Sequence, residues 1–231
     1  MKNAVLTSTL ACGVLALQPG TASAQAKTYA LESVQGLKFH NVVAEPAVLD
    51  GKKGVKLAFP PDLPRPQSEV DQLAWLDGAL FSNGVIEVEL AGAPAPGAGE
   101  GARGFVGIAF RVQPDNKTYD AFYLRPTNGR AEDQVRRNHS TQYISHPEWP
   151  WFRLRKETPE KYESYVDLLP NTWTKVKIEV RGDKARLFVH DGAQPVLIVN
   201  DVKSGPSGKG GVAMWLGIGT VAHFRNLTLK P

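Results

Sequence analysis

The 231-residue chain carries a single cysteine, Cys12. One thiol forms no internal disulfide, so the fold must be held by its core, which a chain of this length can supply. Long apolar runs are also missing: "AVLTSTLACGVLAL", near the start, is too short to span a bilayer. No stretch shows a sustained helical stripe, although "SEVDQLAWLDG" offers one or two turns. His-x-His, HExxH and EF-hand spacings are absent, so no metal centre or other cofactor is expected. A net charge of only +4, with no basic tract interleaved with aromatics, argues against nucleic acid as a partner.

The first residues read as a leader. Met1-Lys2 is a short basic start, the apolar run follows, and "TASAQA" sets Ala22 and Ala24 around Ser23 at signal-peptidase spacing. We expect a signal peptide over 1–24, cleaved to leave one domain over 25–231 in the periplasm or outside the cell. A lipoprotein leader ending at Cys12 is the alternative. No membrane span is expected in the mature chain, and nothing in the sequence sets an oligomeric state. The sequence pI near 9.1 keeps acidic sugars open as ligands.

What remains is strand. "VIEVEL" (85–90), "GFVGIAFRV" (104–112), "YDAFYLRP" (119–126), "WTKVKIEV" (173–180), "ARLFVH" (185–190) and "GGVAMWLG" (210–217) are short, rich in β-branched and aromatic residues, and bounded by turn residues. Asp50-Gly51 marks a hairpin, and "AGAPAPGAGEGARG" reads as a flexible loop. Many short strands with regular turns predict an all-β sandwich or jelly roll of two antiparallel sheets. Alternation assigns the faces. Ile86, Val88, Leu90, Val106, Ile108, Phe110, Phe122 and Leu124 point into the core, while Glu87, Glu89, Arg111, Tyr123 and Arg125 are expected together on the opposite face of one sheet. Gly107, Ala109 and Ala121 would leave room there for a ligand.

The stretches "NTWTKVKIEVRGDKARLFVHDGAQPVLIV" and "GGVAMWLGIGTVAHFRNLTL", with "FSNGVIEVEL" and "GFVGIAFRV" upstream, resemble concanavalin A-like lectin/glucanase domains. The likeness is nearest to the laminin-G-like and DUF1080-type bacterial group, which includes enzymes described as 3-keto-glycoside hydrolases or lyases. The resemblance implies a concanavalin A-like jelly roll and a carbohydrate ligand on the concave sheet face. A glycoside-cleaving hydrolase or lyase of oxidised or acidic sugars, and a laminin-G-like structural domain, stay open beside a pure binding module. Retaining glucanases of this fold set three acids at alternate positions of one strand; here the triplet would read Val85, Glu87, Glu89, so its first acid is missing.

Segment 138–165 supplies the remaining candidates. It holds six aromatics and two histidines, and its charges cancel. The prolines of "HPEWPW" predict extended backbone rather than helix, and so a long, semi-rigid loop walling the site. Trp149 and Trp151 are expected to stack on sugar. His139, Tyr143 and His146 are the candidate acids and bases for cleavage. Glu87, Arg111, Tyr123, Arg125 and Gln142 are the candidate polar contacts. Asp115, Asn116 and Asp120 are the residues that would bind calcium if any ion were held.

Overall fold

The structure, a computed structural model, describes Met1, residues 25–64 and residues 70–231. The expected leader falls on residues outside the described ones. In chain order the strands are β1 (Lys27–Tyr29), β2 (Leu37–His40), β3 (Val43–Leu49), β4 (Lys52–Ala58), β5 (Leu73–Leu76), β6 (Gly84–Pro94), β7 (Val106–Val112) and β8 (Tyr119–Leu124). Helix α1 (Gln134–Asn138), β9 (Thr141–His146), helix α2 (Trp151–Glu157) and β10 (Glu163–Ser164) follow. The chain ends with β11 (Thr174–Arg181), β12 (Lys184–Val189), β13 (Leu197–Val199), β14 (Gly211–Leu216) and β15 (Thr220–Lys230).

Two antiparallel sheets form. The larger runs β13-β12-β11-β6-β15-β4-β3, with β1 added alongside β15; the smaller runs β10-β9-β8-β7-β14-β5-β2. Sequence neighbours are often not sheet neighbours, as a jelly roll requires. This is the expected all-β jelly-roll sandwich of two antiparallel sheets. Local chemistry sets the turns. Asp50 and Gly51 both have positive φ (50° and 72°), the backbone that a tight β3–β4 hairpin demands. The described part of "SEVDQLAWLDG", residues 70–78, supplies strand β5 instead of helical turns, because residues 73–76 pair with β14 on one side and β2 on the other. Part of the Gly- and Pro-rich loop is strand as well, since β6 runs on to Pro94 against β15.

The core follows the alternation. Val106, Ile108, Phe110, Phe122 and Leu124 are buried from the smaller sheet, and Ile86, Val88, Leu90 and Ile178 from the larger. Each such side chain contributes about 1.5–3 kcal/mol on burial. Phe110 and Phe122 stack with ring centroids 6.2 Å apart.

Segment 138–165 is more ordered than a loop. It contains β9, α2 and β10. Proline does not prevent α2; it starts it. Pro150 sits at the N-cap with extended ψ, where its missing N–H costs nothing, and its carbonyl accepts the first helical bond from Leu154 at 3.1 Å. Leu154 then points into the core.

The segment is anchored to the rest of the sandwich at Asp201. Its Oδ2 accepts from Lys161 Nζ at 2.8 Å, from Tyr162 Oη at 2.6 Å and from Lys203 Nζ at 2.9 Å. Burial acts to raise the Asp201 carboxyl, but these three donors outweigh it and hold the group at about 2, below its ordinary 3.8. A carboxyl depressed on folding stabilises the protein above its unfolded value, and that contribution is lost as pH falls through the folded one. Stability should therefore decline as pH drops from 3.8 towards 2, and Asp201→Asn should remove this part of the slope. Urea unfolding across that range checks it; parallel profiles for the two proteins would show that Asp201 is no anchor.

Candidate functional site

The outer face of the smaller sheet is built in cross-strand rows. Gln142, Tyr123, Gly107, Trp215 and Leu73 form one, and Ile144, Ala121, Ala109, Ala213 and Trp75 the next. Gly107 is small for a reason. A Cβ there would lie 2.2 Å from the Phe122 carbonyl and 2.6 Å from the Tyr123 Cβ. With none present, the flanking Tyr123 and Trp215 rings stack at 4.6 Å and 25°. Phe105 meets Tyr123 edge-on at 6.1 Å. The row beyond ends in a polar knot. Tyr119 Oη donates to Asp71 Oδ1 at 2.7 Å and accepts from Trp215 Nε1 at 3.0 Å, and His146 Nδ1 lies 3.0 Å from the same Asp71 oxygen. His146 Nε2 is buried with no partner among the described residues.

At the other end of this face lies a cavity of about 610 Å³. Phe105, Val135, Trp151 and Ile218 give it apolar wall; Arg103, Arg125, Arg136, Arg155, His139 and Asn128 give it donors. Helices α1 and α2 bring Arg136, Trp151 and Arg155 to the sheet residues Phe105 and Arg125. Asp133, also in the lining, caps α1 by accepting from the Arg136 N–H at 3.0 Å.

One carboxylate organises the floor. The Glu163 side chain is only 3% exposed, and it accepts from Arg125 Nη1 at 3.3 Å and from Arg155 Nε at 2.9 Å, with a second, shorter bond from Arg155 Nη2. His139 Nε2 stands 3.5 Å away. Arg125 also donates to Tyr123 Oη and Gln142 Oε1, both at 2.9 Å, and to the His139 carbonyl at 3.0 Å. A buried charge without such partners would cost several kcal/mol. Burial lowers His139 below the ordinary imidazole value; Glu163 pulls it up, and Arg155 and Arg125 push it down again. The ring is therefore neutral at pH 7. Arg103 and Arg136 differ from the other two arginines. Arg103 donates to the carbonyls of Glu100 and Ala102, and Arg136 to Asn128 and Thr127. Neither forms an ion pair among the described residues.

The structure thus gathers Arg125, His139 and Trp151 at the cavity, with Tyr123 and Gln142 directly beneath. Five other expected positions are corrected. Arg111 has φ of 55° and falls at a bulge opposite Gly211 and Val212, which breaks the alternation. Its guanidinium turns away from the outer face to the carbonyls of Ser82, Gly182 and Gly205 and the hydroxyl of Ser204, tying three loops together. Glu87 belongs to the other sheet, between β11 and β15, and pairs with Lys230 at 2.6 Å. Trp149 is held between Arg153 and Lys203, 4.0 and 4.6 Å from its ring, outside the cavity lining. Tyr143 lies on the inner face, fully buried, where it donates to Asp120 and accepts from the Lys203 N–H at 2.8 Å. His146 sits in the Asp71 knot rather than in the cavity.

The calcium trio also disperses. Asp115 caps a turn, Asn116 Oδ1 accepts from Trp75 Nε1 at 2.8 Å, and Asp120 is buried with Tyr143. Among the described residues, no group of three or more histidines, cysteines and acids is placed to hold a metal ion. The sequence reading missed Arg103, Arg136, Arg155 and Glu163. The available signal was slight: an arginine in a glycine-rich loop, and an acid in a strand of two residues.

No family model matches the chain. No curated protein matches it in sequence. Solved structures do match. Carbohydrate-binding module CBM66 from Bacillus subtilis superposes with a TM-score of 0.56 at 14% identity, covering 84% of this chain and 96% of that one. A candidate glycosyl hydrolase from Parabacteroides distasonis gives 0.52 at 11% identity, over 88% and 98%. A Bacillus subtilis protein of unknown function with a galectin-like fold gives 0.51 at 13%, over 90% and 96%. The likeness is one of fold. No helix among the described residues is long and apolar enough to cross a membrane.

Tyr143→Phe separates packing from chemistry. It leaves buried Asp120 short of a donor and the Lys203 N–H short of an acceptor, which should destabilise the fold by about 1–3 kcal/mol. Denaturant melts check this; an unchanged midpoint would contradict the inward placement.

Proposed function

We propose that the protein binds a carbohydrate in the cavity at the end of the smaller sheet's outer face. The observation that carries this reading is the wall itself. Phe105 and Trp151 offer aromatic surface to the C–H face of a sugar ring, beside fixed donors from Arg125, His139 and Asn128. Arg125 is held by four partners through both terminal nitrogens, so it fixes the floor of the cavity before any ligand arrives. A neighbour named as a carbohydrate-binding module, and another as a candidate glycosyl hydrolase, support a sugar over other ligands. The reading includes export, with a mature chain beginning at Gln25.

Binding without cleavage is the better supported form. Paired-carboxylate hydrolysis needs two acids flanking the bond. Of the acids here, Glu163 is clamped by two arginines and Asp133 is spent on the helix cap. One observation favours a second form, cleavage by elimination from an oxidised or acidic sugar, as the DUF1080-type resemblance implies. His139 is neutral at pH 7 and stands among arginines. A neutral imidazole is the state that takes a proton alpha to a carbonyl, and the guanidiniums would hold the enolate charge.

A glycan array with the mature protein, followed by titration of the hits, tests the reading. Trp151→Ala should weaken binding by about 1–3 kcal/mol. Trp149→Ala should leave affinity unchanged and lower stability instead. If no glycan is retained, or if Trp151→Ala binds as well as wild type, the reading is wrong. Appearance of unsaturated product that His139→Gln abolishes would establish the eliminating form.

A further inference from the structure

We infer that the cavity selects an anionic sugar, whose carboxylate or sulfate group is held between Arg103 and Arg136 while its ring lies against Phe105 and Trp151. The inference rests on the carbohydrate reading above and names the substrate class.

The argument is a charge balance. Arg103, Arg125, Arg136 and Arg155 all line one cavity. Asp133 is the carboxylate in the cavity lining, Glu163 lies beneath it, and Glu160 acts from farther off on His139. Glu163 answers Arg125 and Arg155 together, and Asp133 accepts from a backbone N–H at the start of α1. Arg103 and Arg136 are left with neutral acceptors: two carbonyls for one, Asn128 and Thr127 for the other. His139 adds no positive charge at pH 7. The cavity therefore holds four guanidiniums against two carboxylates, and its two unpaired cations are neighbours. Burial first, then the charges of Arg136 and Arg125, push Arg103 below its ordinary value, which records their proximity.

Crowding of like charge is unfavourable until an anion enters. Arginine forks favour carboxylate and sulfate because parallel N–H donors match two oxygens of one group. A neutral sugar would leave the repulsion in place. The apolar wall beside the cations explains why a sugar acid is favoured over a bare anion: Phe105 and Trp151 need a hydrocarbon face to cover.

The test uses the full mature protein and probes in pairs that differ only in charge. Tetragalacturonate is compared with its methyl ester, and a chondroitin sulfate tetrasaccharide with its desulfated, carboxyl-reduced form, within an array that also carries neutral glycans. Wild type should retain acidic glycans and lose them on neutralisation, by tenfold or more for removal of a charged hydrogen bond, about 1.4 kcal/mol or above. A chondroitin tetrasaccharide that is desulfated but keeps its carboxylates tells which anion is read. Arg103→Gln and Arg136→Gln should each remove much of that preference, while Arg103→Lys keeps part of it. Comparable melting temperatures show that the variants are folded, and the esterified probes need no variant. If neutral glycans bind wild type as well as acidic ones, the carbohydrate reading stands and this inference is overturned. If no glycan binds at all, both fail.

Discussion

The carboxylate of Glu163 is the constraint on which the candidate site depends. It is almost completely removed from water, and it lies at the end of a chain segment that also supplies Trp151 and Arg155. Two guanidiniums reach it, one from the sheet and one from α2. Removing one partner of a buried ion pair costs about 3–5 kcal/mol, because the other charge is then left uncompensated. This cost favours the observed placement of segment 147–163. Arg125 passes the constraint on through its bonds to Tyr123, Gln142 and the His139 carbonyl. The floor, the wall and the histidine are thus fixed by one cluster.

The aromatic richness of segment 138–165 divides among three tasks. Tyr143 and Tyr162 are buried, with ring centroids 5.6 Å apart. Trp149 fills the edge between Arg153 and Lys203. Trp151 alone among its tryptophans lines the cavity, with the Arg155 guanidinium 4.8 Å from its ring centre. Packing accounts for half of the six, Phe152 and Tyr165 are exposed, and Trp151 gives the surface that a sugar would meet. The same economy holds for the arginines. Arg111 uses its donors on loop carbonyls and a hydroxyl, Arg125 and Arg155 share a carboxylate, and Arg103 and Arg136 keep charge available.

The fold was legible in the sequence because alternation is a local signal. Ile108, Phe110 and Phe122 read as inward residues and are buried. The candidate site was legible only where the signal stayed local: Tyr123, Arg125, His139, Gln142 and Trp151. Arg111 was misplaced because a single residue of left-handed backbone reverses the face, and nothing in "FRVQPDN" announces it. Glu87 was misplaced because alternation says which way a side chain points within a strand, not which sheet the strand joins. Helix α2 was hidden because proline marks a helix start as well as a strand boundary. Glu163 was missed because a two-residue strand carries no period. Arg103 was missed because the cavity's residues come together only when β7, α1 and α2 meet.

The most direct measurement is amide hydrogen exchange on Glu163→Gln beside the wild type. The substitution keeps size, but it removes the charge that answers Arg125 and Arg155 and turns one of the two accepting oxygens into a donor amide. If Glu163 holds the site together, protection should fall across β9, α2 and β10 while β6, β7, β11 and β15 stay protected. An exchange pattern unchanged across residues 139–163 would contradict the account, since the wall would then be held by packing alone.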